Sequence, residues 1–445
     1  MQFISWQFAL FLPLVLLGLA LMPTRTSRQA LILVSSGIFY AAGTPWHLFV
    51  LALPAVIDYA CALRIEGTDD PSERKRWLRL SVVSNLGLLG YFKYADWFVD
   101  SFAGLIGEST VPLGIALPIG ISFFTFKTLS YTIDVYRREI PACRSLWRYA
   151  LFVSFFPELV AGPIVRASVF LPQLERKLER SWARTSVGLQ LILLGVTKKM
   201  FVADRLATFV NPVFAIPEAF SQGTVIAAVI AYSLQIYCDF SGYSDIAIGV
   251  ARMIGFDLPE NFNMPYLATS ITEFWRRWHI TLSRWLRDYL YVPLGGNRKG
   301  ERRTYVNLLI TMLLGGLWHG AAWTFVLWGM LHGIALAIHK LWSRIPRRES
   351  IATKIGGWAI TYSFVCLAWV FFRAADFATA ATILRKIFGL ESGGATWSYL
   401  PLYLLIPPIM LAHAIGWYAA NKESINGLPV EAPAFVRRLY QRAAG

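Results

Sequence analysis

The chain has 445 residues, of which 56% are hydrophobic and only 16% are charged, whereas ordinary globular domains carry about 25% charged residues. This composition excludes a soluble globular protein and predicts an all-α, polytopic membrane protein. The net charge of +15 does not indicate nucleic-acid binding. The lysines and arginines lie in short loops between apolar runs, as the positive-inside rule expects of cytoplasmic loops.

The first third of the chain predicts five membrane spans. The initial run lacks a positively charged leader and a clear small-residue cleavage site, so we expect a retained span rather than a signal peptide. The polar loop 64–79 is rich in basic residues and is expected in the cytoplasm. The predicted spans are 3–22, 30–42, 46–63, 78–98 and 113–136, of which the second is short for a bilayer.

The middle of the chain mixes spans with segments that do not cross. Residues 149–165 contain Pro157, Glu158 and a Gly-Pro step and have basic flanks on both sides, so this segment is expected to re-enter rather than cross. A polar, glycine-broken patch is predicted at 241–244. Further spans are expected at 187–202, 224–240, 358–372 and 399–417, and 323–338 is expected to be either another span or the second arm of a kinked one.

These segments predict about eleven transmembrane helices plus two or more re-entrant or interfacial helices, all in one membrane-embedded domain spanning 1–445. The expected divisions are N-terminal spans (1–136), a catalytic core with re-entrant segments (137–340), C-terminal spans (341–420) and a polar tail (421–445).

The stretch 269–333 is where arginine, histidine, tryptophan and glycine gather. Its first half is predicted to be one helix, because apolar residues recur at three- and four-residue steps along one face. His279 falls at the edge of this apolar stripe. The opposite face carries Arg276, Arg277, Arg284 and Arg287. Because arginine is costly at the bilayer centre, the helix is expected at the membrane interface or beside a wet cavity inside the protein.

The second half, 305–331, is long enough to cross a bilayer and contains the sequence LGGLWHG around His319. Its three glycines allow close backbone approach or a local break in the helix. An ionisable side chain at membrane depth indicates a functional site, and a neutral imidazole can take a proton from an attacking hydroxyl. The alternative is a buried histidine that is hydrogen-bonded for packing.

Other polar residues carry weaker signals. His332 and His339 are seven residues apart and share a helix face, but no carboxylate or cysteine lies beside them, so no metal is expected. Asp239 and Asp245 are expected to pair with basic residues of the bundle, with a proton pathway as the alternative. The four cysteines show no paired spacing, so neither a disulfide framework nor a zinc motif is predicted.

Four motifs carry a resemblance to a known family. They are FFPELVAGPIVR (155–166), YCDFSGYSDIAIGVARMIGF (237–256), the long run from 261 to 300 that contains FWRRWHITLSRWLRDYLY, and MLLGGLWHGAAWTFVLWGMLHG (312–333). The chain resembles the membrane-bound O-acyltransferases, and most of all the bacterial branch of alginate O-acetylation and teichoic-acid D-alanyl transfer proteins. The chain looks shorter than that branch at its C-terminus.

The resemblance implies that His319 is the essential catalytic residue and that His279 is a second important position. It also implies a ring of helices around a funnel-shaped centre, which the acyl donor and the acceptor approach from opposite sides of the membrane. From the residues themselves, the arginines of the stretch 269–333 form a solvated or lipid-headgroup face, or one or two of them contact the phosphate of an anionic donor or carrier; they are Arg276, Arg277, Arg284 and Arg287. The candidates for binding the substrate or donor are Arg276, Arg277, Trp318, Tyr243 and Asp245.

The expected function is transfer of an acetyl group, with acetyl-coenzyme A as the donor, toward hydroxyls of an exported, alginate-like polysaccharide. The transfer is direct or passes through a periplasmic acetyltransferase partner, and the expected location is the bacterial cytoplasmic (inner) membrane. One alternative is D-alanyl or other acyl transfer to teichoic acid or lipid. A non-enzymatic alternative is a transporter or scaffold that passes an acyl donor without chemistry.

Overall fold

Helices build the described part of the chain, which in this computed structural model comprises residues 1–108, 111–176, 178, 181–346 and 350–425. Most of the predicted polar tail lies outside these residues. The chain divides into two compact units, one formed by 1–192 with 245–259 and the other by 193–244 with 260–445. No β-strand occurs in the described ranges beyond one isolated bridge between Phe220 and Ala395.

The first unit holds the N-terminal helices and the end of one long helix that the two units share. Its helices are α1 (Trp6–Leu21), α2 (Arg25–Ala41), α3 (His47–Glu66), α4 (Pro71–Leu89), α5 (Ala95–Ile106), α6 (Ile121–Tyr136), α7 (Leu146–Ser154), α8 (Phe156–Leu159), α9 (Ala167–Glu175) and most of α10 (Trp182–Val196).

The second unit holds the remaining helices. They are α11 (Asp204–Ala215), most of α12 (Gln222–Ile254), α13 (Ile271–Arg277), α14 (Ile280–Leu286), α15 (Glu301–His319), α16 (Trp323–Trp342), α17 (Ile351–Arg373), α18 (Phe377–Ile387) and α19 (Leu400–Ile425). Two π-helical turns, Gly90–Tyr94 and Thr197–Ala203, join consecutive helices, and a third, Arg287–Tyr291, extends α14.

Five helices among the described residues are long and apolar enough to cross a membrane: His47–Glu66, Trp182–Ala215, Gln222–Ile254, Trp323–Trp342 and Ile351–Arg373. Two shorter apolar helices, Trp6–Leu21 and Leu400–His413, accompany them. The predicted all-helical, multi-pass membrane fold is confirmed. The number of about eleven spans and the subdivision of a single domain stay predictions.

The predicted span 113–136 starts later than expected. Its helix, α6, begins only at Ile121, because Pro118 cannot donate a backbone hydrogen bond and Gly120 has a left-handed φ of 77°. The predicted break at 241–244 is also wrong, since α12 runs through it without interruption. A Cβ on Gly242 would lie 2.7 Å from the Gly195 carbonyl oxygen, so this glycine permits close helix packing.

The first unit buries a charged pair. Lys127 on α6 forms a buried ion pair with Glu158 on α8, and its ammonium also donates to the Phe152 carbonyl at 2.6 Å. The segment 149–165 consists of α7, nine residues long, and α8, four residues long. At 1.5 Å per residue neither helix can cross a bilayer. Glu158, whose presence indicated that this segment is not a lipid-facing span, is therefore paired with Lys127 inside the protein.

Candidate active site

His279 interrupts the helix that the sequence predicts to be continuous. Helix α13 ends at Arg277, His279 adopts a left-handed backbone with φ 40°, and α14 starts at Ile280. The segment 261–263, which precedes α13, forms a backbone hydrogen bond with the residues on each side of the break. The Ile280 N–H donates to the Asn261 carbonyl at 2.9 Å, and the Asn263 N–H donates to the Arg277 carbonyl at 2.9 Å.

The break turns His279 fully inward, so its predicted place at the edge of an apolar stripe is wrong. Its ring lies against Phe240 at 4.7 Å between ring centres and against Phe262 at 6.3 Å. Burial holds the pKa of His279 well below its usual range, and the nearby His319 imidazole lowers it further. His279 is therefore neutral at physiological pH.

Asn261 links His279 to its surroundings. The Nδ1 atom of His279 lies 3.1 Å from the Asn261 side-chain oxygen, which also accepts hydrogen bonds from the Thr281 hydroxyl at 2.8 Å and the Thr281 N–H at 3.3 Å. The Asn261 amide nitrogen donates to the Ser244 hydroxyl at 3.2 Å. The other ring nitrogen, Nε2 of His279, is buried and meets no hydrogen-bond partner among the described residues.

His319 is the last residue of α15, and the extended backbone of Gly320 ends the helix there. The predicted span 305–331 is thus a helical hairpin, with α16 as its second arm. His319 is partly exposed, and its ring is bordered by aromatic rings. Its ring centre lies 4.9 Å from Trp318, 5.2 Å from Trp328 and 5.1 Å from Phe372.

The two histidines lie in one aromatic enclosure. Their ring centres are 6.5 Å apart with an interplanar angle of 63°, and Trp318 lies 5.9 Å from His279. His279 is buried, whereas His319 is partly exposed. This arrangement can hold a neutral base beside a reacting group while aromatic walls keep water away.

The other predicted binding residues have different surroundings. Trp318 borders both histidines. Arg277 pairs with Glu273 at 2.8 Å and donates to the Asn263 carbonyl, which helps to hold the segment containing Asn261. Arg276 is exposed. Roles for these residues in donor binding stay predictions.

Tyr243 and Asp245 both lie on α12. The Lys199 ammonium lies 5.6 Å from the centre of the Tyr243 ring. Asp245 belongs to the first unit, whereas the two histidines belong to the second. Asp239 pairs with Lys199 at 2.6 Å, as expected for a carboxylate in the bundle. The binding roles predicted for Tyr243 and Asp245 remain untested.

His332 and His339 are bound separately. The Trp275 indole N–H donates to Nδ1 of His332 at 3.2 Å, and Nδ1 of His339 lies 2.8 Å from the Thr272 hydroxyl. In the described ranges no group of three histidine, cysteine or carboxylate residues could hold a metal ion.

The sequence interpretation missed four contributors to this site: Asn261, Phe240, Trp328 and Phe372. Asn261 and Phe240 lie within quoted motifs, but no helical or strand periodicity gives them a role. A usable signal was the run NFNMPY (261–266), which contains no α-helix and lies a few residues before α13. Such a run between two helices can supply backbone and amide partners to a broken helix.

Comparisons with known proteins find similar sequences over most of the chain. Residues 69–378 match the model of the membrane-bound O-acyltransferase family. The "Probable alginate O-acetylase AlgI" of Azotobacter vinelandii is 44% identical over 384 residues, covering 85% of this chain and 76% of that protein. The "Peptidoglycan O-acetyltransferase" of Helicobacter pylori is 39% identical over 414 residues, with 86% and 78% covered. The "Teichoic acid D-alanyltransferase" of Streptococcus thermophilus is 28% identical over 282 residues, with 57% and 68% covered.

Proposed function

The chain belongs to the membrane-bound O-acyltransferase family and is a multi-pass O-acyltransferase, and from this premise we propose that it carries acetyl from cytoplasmic acetyl-coenzyme A toward hydroxyls of an exported polysaccharide. The acceptor receives the group directly or through a periplasmic partner. We place the protein in the bacterial cytoplasmic membrane. The observation that carries this proposal is the pair of imidazoles 6.5 Å apart inside an aromatic enclosure.

His319 is the general base in this proposal, because it is the partly exposed residue of the pair, whereas His279 is buried. It takes the proton of the acceptor hydroxyl while that oxygen bonds to the acetyl carbonyl carbon. The carbon–sulfur bond of the thioester then breaks, and the leaving thiolate recovers a proton from the imidazolium. His279 assists from the buried side. The rings of Trp318, Trp328 and Phe372 limit competing hydrolysis by excluding water.

The relatives favour acetyl over D-alanyl transfer. Two relatives named for O-acetylation are 44% and 39% identical to the chain and cover most of it. The relative named for D-alanyl transfer is 28% identical and covers 57% of it. D-alanyl transfer to teichoic acid is therefore the second candidate. A transporter or scaffold without chemistry receives no support from relatives named as transferases.

The test is the acetyl content of the secreted polysaccharide in a deletion strain that carries either wild-type protein or His319→Ala at matched membrane levels. Loss of a general base costs about 10²–10⁴-fold in rate, or roughly 3–5 kcal/mol of activation free energy. We expect wild type to restore acetyl and His319→Ala to fail. His339→Ala is the matched control, because His339 is bonded to Thr272 and is not part of the histidine pair.

Two outcomes would redirect the proposal. Unchanged acetyl in the deletion strain rules out the polysaccharide acceptor and shifts attention to D-alanine in the cell wall and to acylated lipid. Full rescue by His319→Ala keeps the pathway but moves the chemistry away from His319.

A further inference from the structure

Asn261 accepts hydrogen bonds through its side-chain oxygen, and this fixes how its amide is oriented. The Thr281 backbone N–H, 3.3 Å away, can only donate, so the atom that faces it must be the oxygen. The Thr281 hydroxyl donates to the same oxygen at 2.8 Å. The amide nitrogen then faces the Ser244 hydroxyl at 3.2 Å. All these bonds lie among buried residues.

This orientation decides which nitrogen of His279 carries a proton. The Asn261 oxygen can only accept, so Nδ1 of His279, 3.1 Å away, must be the donor. A neutral imidazole has one N–H, so the proton on Nδ1 leaves a lone pair on Nε2. That Nε2 is buried and has no hydrogen-bond partner in the part of the chain that the structure describes.

We propose that Asn261 is a positioning residue that holds His279 in the tautomer with its proton on Nδ1, so that the lone pair on Nε2 accepts a hydrogen bond in the site while His319 takes the proton of the acceptor hydroxyl. The backbone supports this role. The Asn261 carbonyl accepts the Ile280 N–H at 2.9 Å, immediately after the left-handed residue. Asn261 therefore holds both the ring and the backbone on which the ring is mounted.

Aromatic rings and hydrogen-bonded neutral side chains lie around His279 in the described part of the chain. Phe240 on α12 and Phe262 face it with aromatic rings, and Ser244 and Thr281 reach it through Asn261. His319 at the end of α15 is the one titratable neighbour that acts electrostatically on it among the described residues. A new charge at position 261 would therefore act on His279 with little compensation.

The proposal rests on the proposed function, since it assigns His279 a part in acetyl transfer, but a first measurement is independent of activity. Solid-state ¹⁵N NMR of histidine-labelled protein in lipid distinguishes an Nδ1–H from an Nε2–H imidazole. The chain has six histidines, so the signal lost in His279→Gln identifies His279. We expect the Nδ1–H form. An Nε2–H form in the wild type overturns the proposal whatever the acceptor proves to be.

The second measurement is the pH profile of acetyl transfer from acetyl-coenzyme A in washed membranes. Asn261→Asp keeps the acceptor for Nδ1 and for Thr281 but places a carboxylate beside the ring, which stabilises the imidazolium. His279 can accept through Nε2 only when its ring is neutral, so activity that rises with pH should reach its midpoint about one to three pH units higher. The midpoint does not depend on the amount of folded protein, so partial loss of protein leaves the test valid.

Asn261→Ala removes the acceptor and should lower kcat about 10²–10⁴-fold with little change in KM. Ser244→Ala is the control, since it removes the hydroxyl that accepts from the Asn261 amide nitrogen and leaves the Asn261 oxygen in place. The midpoint of its pH profile should match that of wild type. A purely structural Asn261 would lower protein amount in both variants and leave the midpoint of Asn261→Asp in place, which would refute the proposal. Loss of transfer in His319→Ala with an unshifted Asn261→Asp midpoint would retain the proposed function and reject only this inference.

Discussion

His279 occupies a backbone region that non-glycine residues rarely adopt. Its φ of 40° lies in the left-handed region, where a side chain costs roughly 1–2 kcal/mol relative to glycine. The two hydrogen bonds between the segment 261–263 and the ends of α13 and α14 offset this cost. The chain therefore retains a strained histidine at the point where it also seals one imidazole from solvent, as functional sites often do.

The strain predicts an unusual order of stability for two variants. His279→Gly and His279→Ala both remove the imidazole, but only alanine keeps a Cβ in the left-handed region. We expect His279→Gly to be more stable by about 1 kcal/mol, measured as the unfolding free energy in detergent. The same pair at Ser283, within α14, should show the opposite order, because glycine in a helix interior costs about 1 kcal/mol relative to alanine. Equal stabilities at position 279 would contradict the strain.

At the scale of single residues, the sequence identified the histidines of the site but did not predict their backbone conformations. His319 could be found because a histidine among glycines and tryptophans in an apolar run stands out. The left-handed state of His279 could not, since local periodicity favours an unbroken helix. The break is stabilised by Asn261 and Asn263, which lie sixteen or more residues earlier in the chain, and long-range hydrogen bonds leave no periodic trace.

The hairpin of α15 and α16 determines where His319 lies. Two glycines let the helices approach backbone to backbone: a Cβ on Gly316 would lie 2.2 Å from the Phe325 carbonyl oxygen, and one on Gly329 would lie 2.2 Å from that of Met312. Trp328, next to Gly329, forms one wall around the His319 ring. Close packing of the hairpin thus positions both the imidazole and part of its enclosure.

Gly329→Ala should force the hairpin apart. Overpacking of this kind costs typically 1–3 kcal/mol, and the displaced Trp328 should lower the acetylation rate of the molecules that still fold. The measurements are the unfolding midpoint in detergent and the specific activity per purified molecule. Gly356→Ala on α17 is the control, because a Cβ there meets nothing within 4 Å. If Gly329→Ala behaves like Gly356→Ala, the close approach does not position the site.

The elements also show why a glycine is ambiguous in a sequence. The LGGLWHG run suggested either close approach or a break, and the structure contains both, with packing at Gly316 and the helix end at Gly320. Gly242 suggested a break and instead permits packing. The absence of a Cβ permits both a helix break and close helix packing, so the neighbouring helix determines which of the two occurs.

On the scale of the whole chain, composition predicted the membrane class because lipid requires apolar surface and satisfied backbones. It could not predict which buried polar groups meet. Lys127 and Glu158 are 31 residues apart and come from different helices of the first unit. Their pairing depends on the assembled unit, whereas the paired histidines belong to the second unit.

Because the ion pair and the histidine pair belong to different units, we predict that the ion pair affects the amount of folded protein rather than the rate of acetyl transfer. Removing one partner of a buried pair costs about 3–5 kcal/mol, whereas replacing both can be nearly neutral. Lys127→Met and Glu158→Gln should each reduce the protein that accumulates in membranes, and the double variant should recover much of it. The pH midpoint of acetyl transfer by the surviving molecules should equal that of wild type, because neither side chain acts electrostatically on His279.

The matched control is the exposed ion pair of Arg138 and Asp69, also in the first unit. Exposed pairs contribute about 0–1 kcal/mol, so Asp69→Asn should leave the membrane level unchanged. A double variant as scarce as the singles would mean that Lys127 matters chiefly through the Phe152 carbonyl it binds, which methionine cannot satisfy. A shifted pH midpoint in Glu158→Gln would instead show that this carboxylate influences the histidine pair, and the division between stability and chemistry would have to be abandoned.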